Sequence, residues 1–384
     1  MKYYNNDNSL IIKSWCNEPE EGALEQAQNL AKLHFAFRQI CLMPDTHQGY
    51  GMPIGGIMAT QGVIVPNAVG VDIGCGMCAV KTNIPDLNTE DRKTIIGNIR
   101  KLVPVGFNHH QESKEWTGFN DAPDVAIVQR ELQSAHYQIG TLGGGNHFIE
   151  LQKGDDGFVW IMIHSGSRNF GFKIAKEYHE KAKKLCERWY SDIPTPDLSF
   201  LPMETPEAKE YKLAMEYALS FAFESRLQMI EQAQSAILSW NGATSFDEVI
   251  NIHHNYAQFE HHFGKNVIVH RKGATSARKD EIGIIPGSQG TASYIVRGLG
   301  NPESFESCSH GAGRKMGRKQ AQRELNLEDE QAKLESQGII HSIRNVKDLD
   351  EASGAYKSID IVMEEQSDLV EPIVKLNPLA VLKG

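Results

Sequence analysis

Four histidines, an aspartate and a cysteine occupy positions in this sequence from which a side chain can be aimed at a metal or at phosphorus. Residues 159–163 form a short apolar run that ends at His164, and residues 267–269 form another that ends at His270. A third run, at 69–71, leads into Asp72 and Cys75. His147 follows Gly143-Gly144-Gly145-Asn146, and His310 lies between Ser309 and Gly311. A strand end fixes direction and an adjoining glycine leaves room, so such corners suit ligands. Each residue also has an ordinary structural use: a satisfied core histidine, a turn aspartate, a small buried thiol. Taken together they predict a metal site mixing thiolate, imidazole and carboxylate. Ligand softness favours zinc, whereas a carboxylate and an open position suit manganese as well. One thiolate has enough lone pairs to bridge two ions.

The glycine-rich stretches point to phosphate, because exposed backbone N–H groups can cradle anions. No G-x-x-x-x-G-K-[ST] loop and no strand-to-helix G-x-G-x-x-G occur, so the standard phosphate motifs are excluded. Arg168 and Arg314 each follow a histidine by four residues. That spacing suits a guanidinium holding phosphoryl oxygens beside a reacting imidazole, although two surface arginines would look the same. The net charge of −10 argues mildly against nucleic acid. Positive charge is nevertheless concentrated locally at His270-Arg271-Lys272, Arg278-Lys279, Arg314-Lys315 and Arg318-Lys319. Steering depends on the local field more than on the total.

These residues need elements to hold them. Residues 20–38 carry apolar positions at helical spacing, with acids early and Arg38 late. The stretch 42–80 is dense in Gly and Pro and reads as short strands and tight loops, and 158–163 reads as a strand. Helical patterns at 172–190 and 205–239 predict a helical insertion at about 172–260 that separates the glycine clusters. Residues 314–336 read as a polar helix. This mixture predicts the α+β class. With 384 residues, 40% hydrophobic and 23% charged, the composition is that of a globular protein. Six scattered cysteines are too few for a disulfide scaffold, and Cys75-x-x-Cys78 has no second pair for a zinc knuckle. No apolar run is long enough for a membrane span, and residues 1–7 lack the layout of a secretory signal, so the expected location is the cytoplasm.

Between roughly residues 43 and 314 the motifs DTHQGYGMPIGG, GVDIGCGM, GGGNHFIE, HSGSRNFG, VHRKGA, PGSQGTASY and SHGAGR follow one another in order. Together with the terminal Lys383-Gly384 they resemble the RtcB family of RNA ligases. The resemblance implies a compact single catalytic domain over 1–384, with mixed sheets around a dinuclear metal pocket. It implies two Mn²⁺ ions, GTP, and RNA partners ending in a 3′-phosphate or 2′,3′-cyclic phosphate on one side and a 5′-hydroxyl on the other. A histidine takes the guanylate from GTP, passes it to the RNA 3′-phosphate, and the 5′-hydroxyl then displaces GMP.

Carried onto this sequence, the resemblance makes His310 the guanylylated nucleophile. Asp72, Cys75 and His147 would hold one ion, and Cys75, His164 and His270 the other. Asn146, Glu150, Pro286, Gly287, Ser288, Ser293, Gly311, Gly313, Arg314 and Lys383 would contact the guanylate. Asp45 and Arg168 would position phosphate or an RNA end, and His47 receives no role. The chain is shorter than many members, as in a compact bacterial-type variant, so tRNA splicing and repair of cleaved tRNA or rRNA both stay open. A metal-dependent phosphodiesterase or phosphatase would use the same ligands to activate water without a guanylylated histidine. A non-catalytic RNA- or metal-binding module would need neither GTP nor His310.

Overall fold

The computed structural model describes residues 1–5 and 9–384, so part of the N-terminal stretch read for a secretory signal lies outside the described residues. Helices and two large sheets share the chain, which is the α+β class expected. The first sheet has the order Lys2–Tyr4, Ile11–Ser14, Ala36–His47, Ile54–Thr60, Lys265–Lys272, Asn255–His262. Its one parallel pairing, Ile11–Ser14 with Ala36–His47, is bridged by the helix Glu21–Ala31. That helix buries Ala23, Ala27, Leu30 and Ala31 along one face. It stops short of the predicted residue 38, because the chain from Ala36 onward is already strand.

The second sheet runs Ile250–His253, Gly76–Lys81, Val159–Ser165, Phe148–Gly154, Val370–Lys383, Ser293–Gly298, Ile282–Ile285, all antiparallel. Strand Val159–Ser165 is buried along its whole length, as expected of a central strand covered on both faces. Register places His164 opposite Met77 on one side and Phe148 on the other. The long strand Val370–Lys383 brings Lys383 opposite Phe148.

The helical block is part of the core rather than an appendage. Helix Arg168–Arg188 packs Phe170, Ile174 and Tyr178 against Ile64, Val69, Ile73 and Ile268. Helix Pro206–Trp240 starts with Thr205 accepting the Ala208 N–H at 3.3 Å and Pro206 in its first turn. It packs Met229, Ile230 and Ala233 against Cys78, Ile161 and Ile163. The predicted helical stretch to residue 260 needs correction: the helix ends at Trp240, before Asn241-Gly242. Residues Ile250–His253 and Asn255–His262 are edge strands of the second and first sheets. His254 is the single residue between them, at the point where the chain crosses from one sheet to the other. Among the described residues, no helix is long and apolar enough to cross a membrane.

Candidate active site

Glycine-rich corners at this seam bring donor atoms together. Cys75 immediately precedes strand Gly76–Lys81, His147 immediately precedes Phe148–Gly154, and His164 lies at the end of Val159–Ser165. Cys75 Sγ is 3.5 Å from His147 Nε2 and 3.3 Å from His164 Nε2. His147 Nε2 is 3.2 Å from Asp72 Oδ2. A further imidazole completes the group: His254 Nε2 lies 3.3 Å from His164 Nε2. Cys75, His147, His164 and His254 are all buried. Ring nitrogens this close to one another and to a thiol cannot all be satisfied by hydrogen bonds among themselves, whereas a cation between them would satisfy every one. Among the described residues, the His147 and His254 Nδ1 atoms have no hydrogen-bond partner.

Electrostatics agree with that donor set. Burial holds His164 and His254 well below the usual imidazole range, reinforced by the neighbouring histidines, so both rings are neutral and free to donate lone pairs. Asp72 stays below the ordinary carboxylate range despite burial, because His147 and Arg168 outweigh it. Burial and the Asp72 charge push the Cys75 thiol up. A bound cation would reverse that, since coordination deprotonates a thiol. The residues therefore fit the metal dependence that the sequence implied: the donor atoms of Cys75, His147 and His164 lie within 4.8 Å of one another, with Asp72 beside His147 and His254 beside His164.

His270 does not belong to this cluster, which corrects the expected ligand set. It lies inside strand Lys265–Lys272 rather than at its end, fully buried, on the same face as Ile268. Its Nε2 accepts the Val65 N–H at 3.0 Å, and its Nδ1 faces the Ile268 and Met58 carbonyls at 3.2 and 3.3 Å. Both nitrogens are taken by backbone. The ligand-like residue is His254, which the sequence reading missed because it fell in the block assigned to helix. The doublet His253-His254 followed by Asn255 was the available signal.

His310 follows the short strand Ser307–Ser309, which pairs with Ala274–Ser276. Its ring packs against His254, with centroids 4.8 Å apart. Its Nδ1 is 2.6 Å from Asp45 Oδ2, and the same oxygen accepts the His310 backbone N–H at 3.1 Å. Asp45 is completely buried in strand Ala36–His47. Its carboxylate holds His310, a role the sequence did not suggest beside the expected positioning of phosphate. The carboxylate keeps the proton on Nδ1 and leaves Nε2 with its lone pair. Gly313, at φ +71°, passes so close to Asp45 that an added Cβ would stand 2.2 Å from the Asp45 carbonyl oxygen. His47 sits beside this pair, its Nδ1 3.0 Å from the Asp45 carbonyl, and burial lowers its pKa to about 4.

Two cavities meet at His310. The tighter one, about 230 Å³, is lined by Asn146, Glu150, Pro286, Gly287, Ser288, Gly311, Gly313, Arg314 and Lys383, together with Phe148, Glu351 and Tyr356. Burial raises the Glu150 carboxyl to about 8 in spite of Gln152 and Lys383. Ser293 is corrected from contact to support: it is buried, and its hydroxyl accepts from Gln152 at 3.1 Å and from the Gly287 N–H at 3.1 Å. Glu351, which no sequence pattern marked, gathers Arg314 at 3.2 Å, Lys383 at 3.1 Å and the Tyr356 hydroxyl. Those cations keep its carboxyl below the ordinary range despite burial.

The wider cleft is lined by Asp72, Cys75, His254 and His310 at its floor and by Lys272, Arg314, Lys315 and Arg318. Arg271, grouped with these cations in the sequence, is instead fully buried against Glu260, Ser307 and the Phe305 carbonyl. Arg168 lines a third opening beside Asp72 and His147, with its Nε on Thr141 at 3.0 Å and an Nη on the Gly106 carbonyl at 2.8 Å. Cys78 points into the apolar core, so the C-x-x-C is no metal knuckle.

An α+β fold that sets a Cys/His donor cluster beside a carboxylate-held histidine has the groups that phosphoryl- and nucleotidyl-transfer proteins use. A family model described as tRNA-splicing ligase RtcB matches residues 26–384. The chain is 39% identical to the RNA-splicing ligase RtcB of Escherichia coli (strain K12), over 97% of each chain. It is 31% identical to the tRNA-splicing ligase RtcB of Thermococcus kodakarensis, over 98% of this chain and 93% of the relative. It is 33% identical to the RNA-splicing ligase RtcB of Mycobacterium tuberculosis, over 94% of this chain and all of the relative. The chain belongs to the RtcB family.

Proposed function

We propose that this protein joins RNA ends through a guanylate carried on His310, with GTP as the guanylate donor and Mn²⁺ as the cation. The observation that carries the reading is the His310–Asp45 pair at 2.6 Å, set where a nucleotide-sized cavity and a basic cleft meet over the Cys/His cluster. His310 Nε2 attacks the α-phosphorus of GTP. The P–N bond forms, the bond to the β-phosphate bridging oxygen breaks, and pyrophosphate leaves. An oxygen of the RNA 3′-phosphate then attacks the same phosphorus and releases the imidazole. The 5′-hydroxyl oxygen finally attacks the RNA phosphorus, its proton passes to a base, and GMP departs.

Asp45 keeps the proton on Nδ1 through the first two steps, so Nε2 is a nucleophile on entry and a neutral leaving group on exit. Two cations held by Asp72, Cys75 and His147 and by Cys75, His164 and His254 would neutralise charge on attacking and leaving oxygens. Glu150 and Lys383 line the end of the tighter cavity suited to the purine, and Arg314, Lys315 and Arg318 give the cleft the charge that RNA phosphates need. The cytoplasm is the proposed location.

The test is incubation with α-labelled GTP and Mn²⁺. The expected result is a covalent protein–guanylate, stable to base and labile to acid, that is absent from His310→Ala. Wild-type protein that takes up no label with Mn²⁺, Co²⁺, Ni²⁺ or Zn²⁺ would overturn the reading.

A further inference from the structure

Helix Pro206–Trp240 carries a buried cation that the reaction does not use. Arg226 is fully buried, and its guanidinium reaches through the helix–sheet contact to the underside of the Cys/His cluster. One Nη donates to the Gly74 carbonyl at 2.8 Å and to the Ser165 carbonyl at 2.9 Å. Nε donates to Asn251 Oδ1 at 2.7 Å, and the other Nη meets His253 Nδ1 at 3.1 Å. Gly74 immediately precedes Cys75, Ser165 immediately follows His164, and His253 immediately precedes His254. One rigid fork thus touches the three separate segments that present one donor group, each one residue from the donor itself.

The local sequence is adapted to this contact. An added Cβ on Gly76 would stand 2.0 Å from the Ile252 carbonyl oxygen and 3.0 Å from the Arg226 guanidinium carbon, so a larger residue would push the fork and the His253 strand apart. The four acceptors are two carbonyls, a carboxamide and a ring nitrogen, none of them a carboxylate. A buried cation without a paired anion is costly, and a purely structural site would be served as well by an apolar side chain. The ionisable groups that face it are Cys78, Cys75 and Asp72; of these Asp72 carries a charge, and Cys75 would gain one on binding a cation. Arginine is suited to this position because its planar fork fixes several acceptors at set angles, which a lysine cannot do.

We propose that Arg226 is a positioning residue for the metal centre, setting the spacing of Cys75, His164 and His254 through the residues beside them. The inference rests on the metal-centre reading given above. It is tested by titrating Mn²⁺ alone into the full chain, without GTP or RNA, and counting free Mn²⁺ by electron paramagnetic resonance. Arg226→Lys is expected to lower Mn²⁺ affinity about 10- to 100-fold, in line with other groups that orient metal ligands. Asn251→Ala, which frees one side of the fork, is expected to lower it about 3- to 10-fold by the same mechanism. Ile230→Val, one turn further along the helix in an apolar cluster, serves as the control for general loosening and is expected to lower Tm with no change in Mn²⁺ affinity.

Folded Arg226→Lys with wild-type affinity would overturn the proposal, as would an equal loss in Ile230→Val. If Arg226→Lys does not fold, Asn251→Ala decides: lower affinity supports the proposal and unchanged affinity overturns it. Wild-type protein that binds no Mn²⁺ would overturn the metal-centre reading and this inference with it. Wild-type binding with unaltered variants overturns this inference alone.

Discussion

His254 and His270 belong to the same stretch of chain and have opposite fates. His254 is the corner residue at which the chain leaves the second sheet; its Nδ1 has no hydrogen-bond partner among the described residues, and its Nε2 faces His164. His270 lies within the next strand but one, and the backbone takes both of its nitrogens. Both rings are buried and both are held neutral by burial. What separates them is whether the backbone around the ring has already used its lone pairs. A strand interior supplies carbonyls and N–H groups to any polar side chain folded against it. A corner between two sheets does not.

The largest test of this contrast is His254→Ala. It is expected to lower Mn²⁺ affinity by at least about 100-fold and guanylylation by about 1000-fold, with folding retained, measured by metal titration and GTP labelling. Retained labelling would remove His254 from the donor set. Asp45→Asn comes next. The amide would present its N–H₂ to Nδ1 and drive the ring proton to Nε2, so labelling should fall about 100- to 1000-fold. Cation affinity should stay close to wild type, which separates Asp45 from the ligands.

Glu150 sharpens the contrast from the other side, because it is a mid-strand residue that still faces a cavity. Its carboxyl is raised to about 8, so it is largely protonated at neutral pH. Guanine offers N–H donors that an ionised carboxylate accepts, so GTP affinity should rise about tenfold between pH 7 and pH 9. Glu150→Gln should flatten that slope in a binding titration. For folding the sign is opposite. The folded state keeps a proton that the unfolded chain releases above its model value of 4.5. This residue's contribution to stability is therefore fully present below 4.5 and is lost as pH rises through about 8.

The smallest expected effect on activity is at His270. His270→Asn should leave labelling within about threefold at 20 °C while lowering stability by about 1–3 kcal/mol, because the Val65 N–H loses a well-placed acceptor. Denaturant unfolding checks the second half of that expectation. A hundredfold loss of labelling in folded His270→Asn would reverse the assignment of the two histidines.

Much of the donor set was readable because glycine and histidine crowd together around Asp72, Cys75, His147, His164 and His310, and such crowding marks a chain held close to something. The α+β class and the central strand to His164 were readable for similar local reasons. The misses share a different cause. Asp45 meets His310 across 265 positions of sequence, and Glu351 meets Lys383 across 32. Pairings of that kind follow from sheet order, which no local pattern encodes. The helical insertion was carried on to about residue 260 although Asn241-Gly242 is a stop signal, and that error concealed both His254 and the strand it heads. It also made the long helix look peripheral, when Arg226 and Met229 place it under the site and in the core.

The position of the donor cluster has a thermal consequence. Cys75, His147 and His164 hang from the second sheet, while His254 heads the edge strand of the first. An ion gripped there would add a second fastening to two layers already joined at this corner, where the His254 N–H donates to the Cys75 carbonyl at 2.8 Å. At about 100 times its dissociation constant, a ligand bound only by the folded chain adds about 2.7 kcal/mol to stability. A chelator would withdraw that increment and lower the melting temperature. Resistance to heat would then serve as a gauge of loading, readable without nucleotide or RNA.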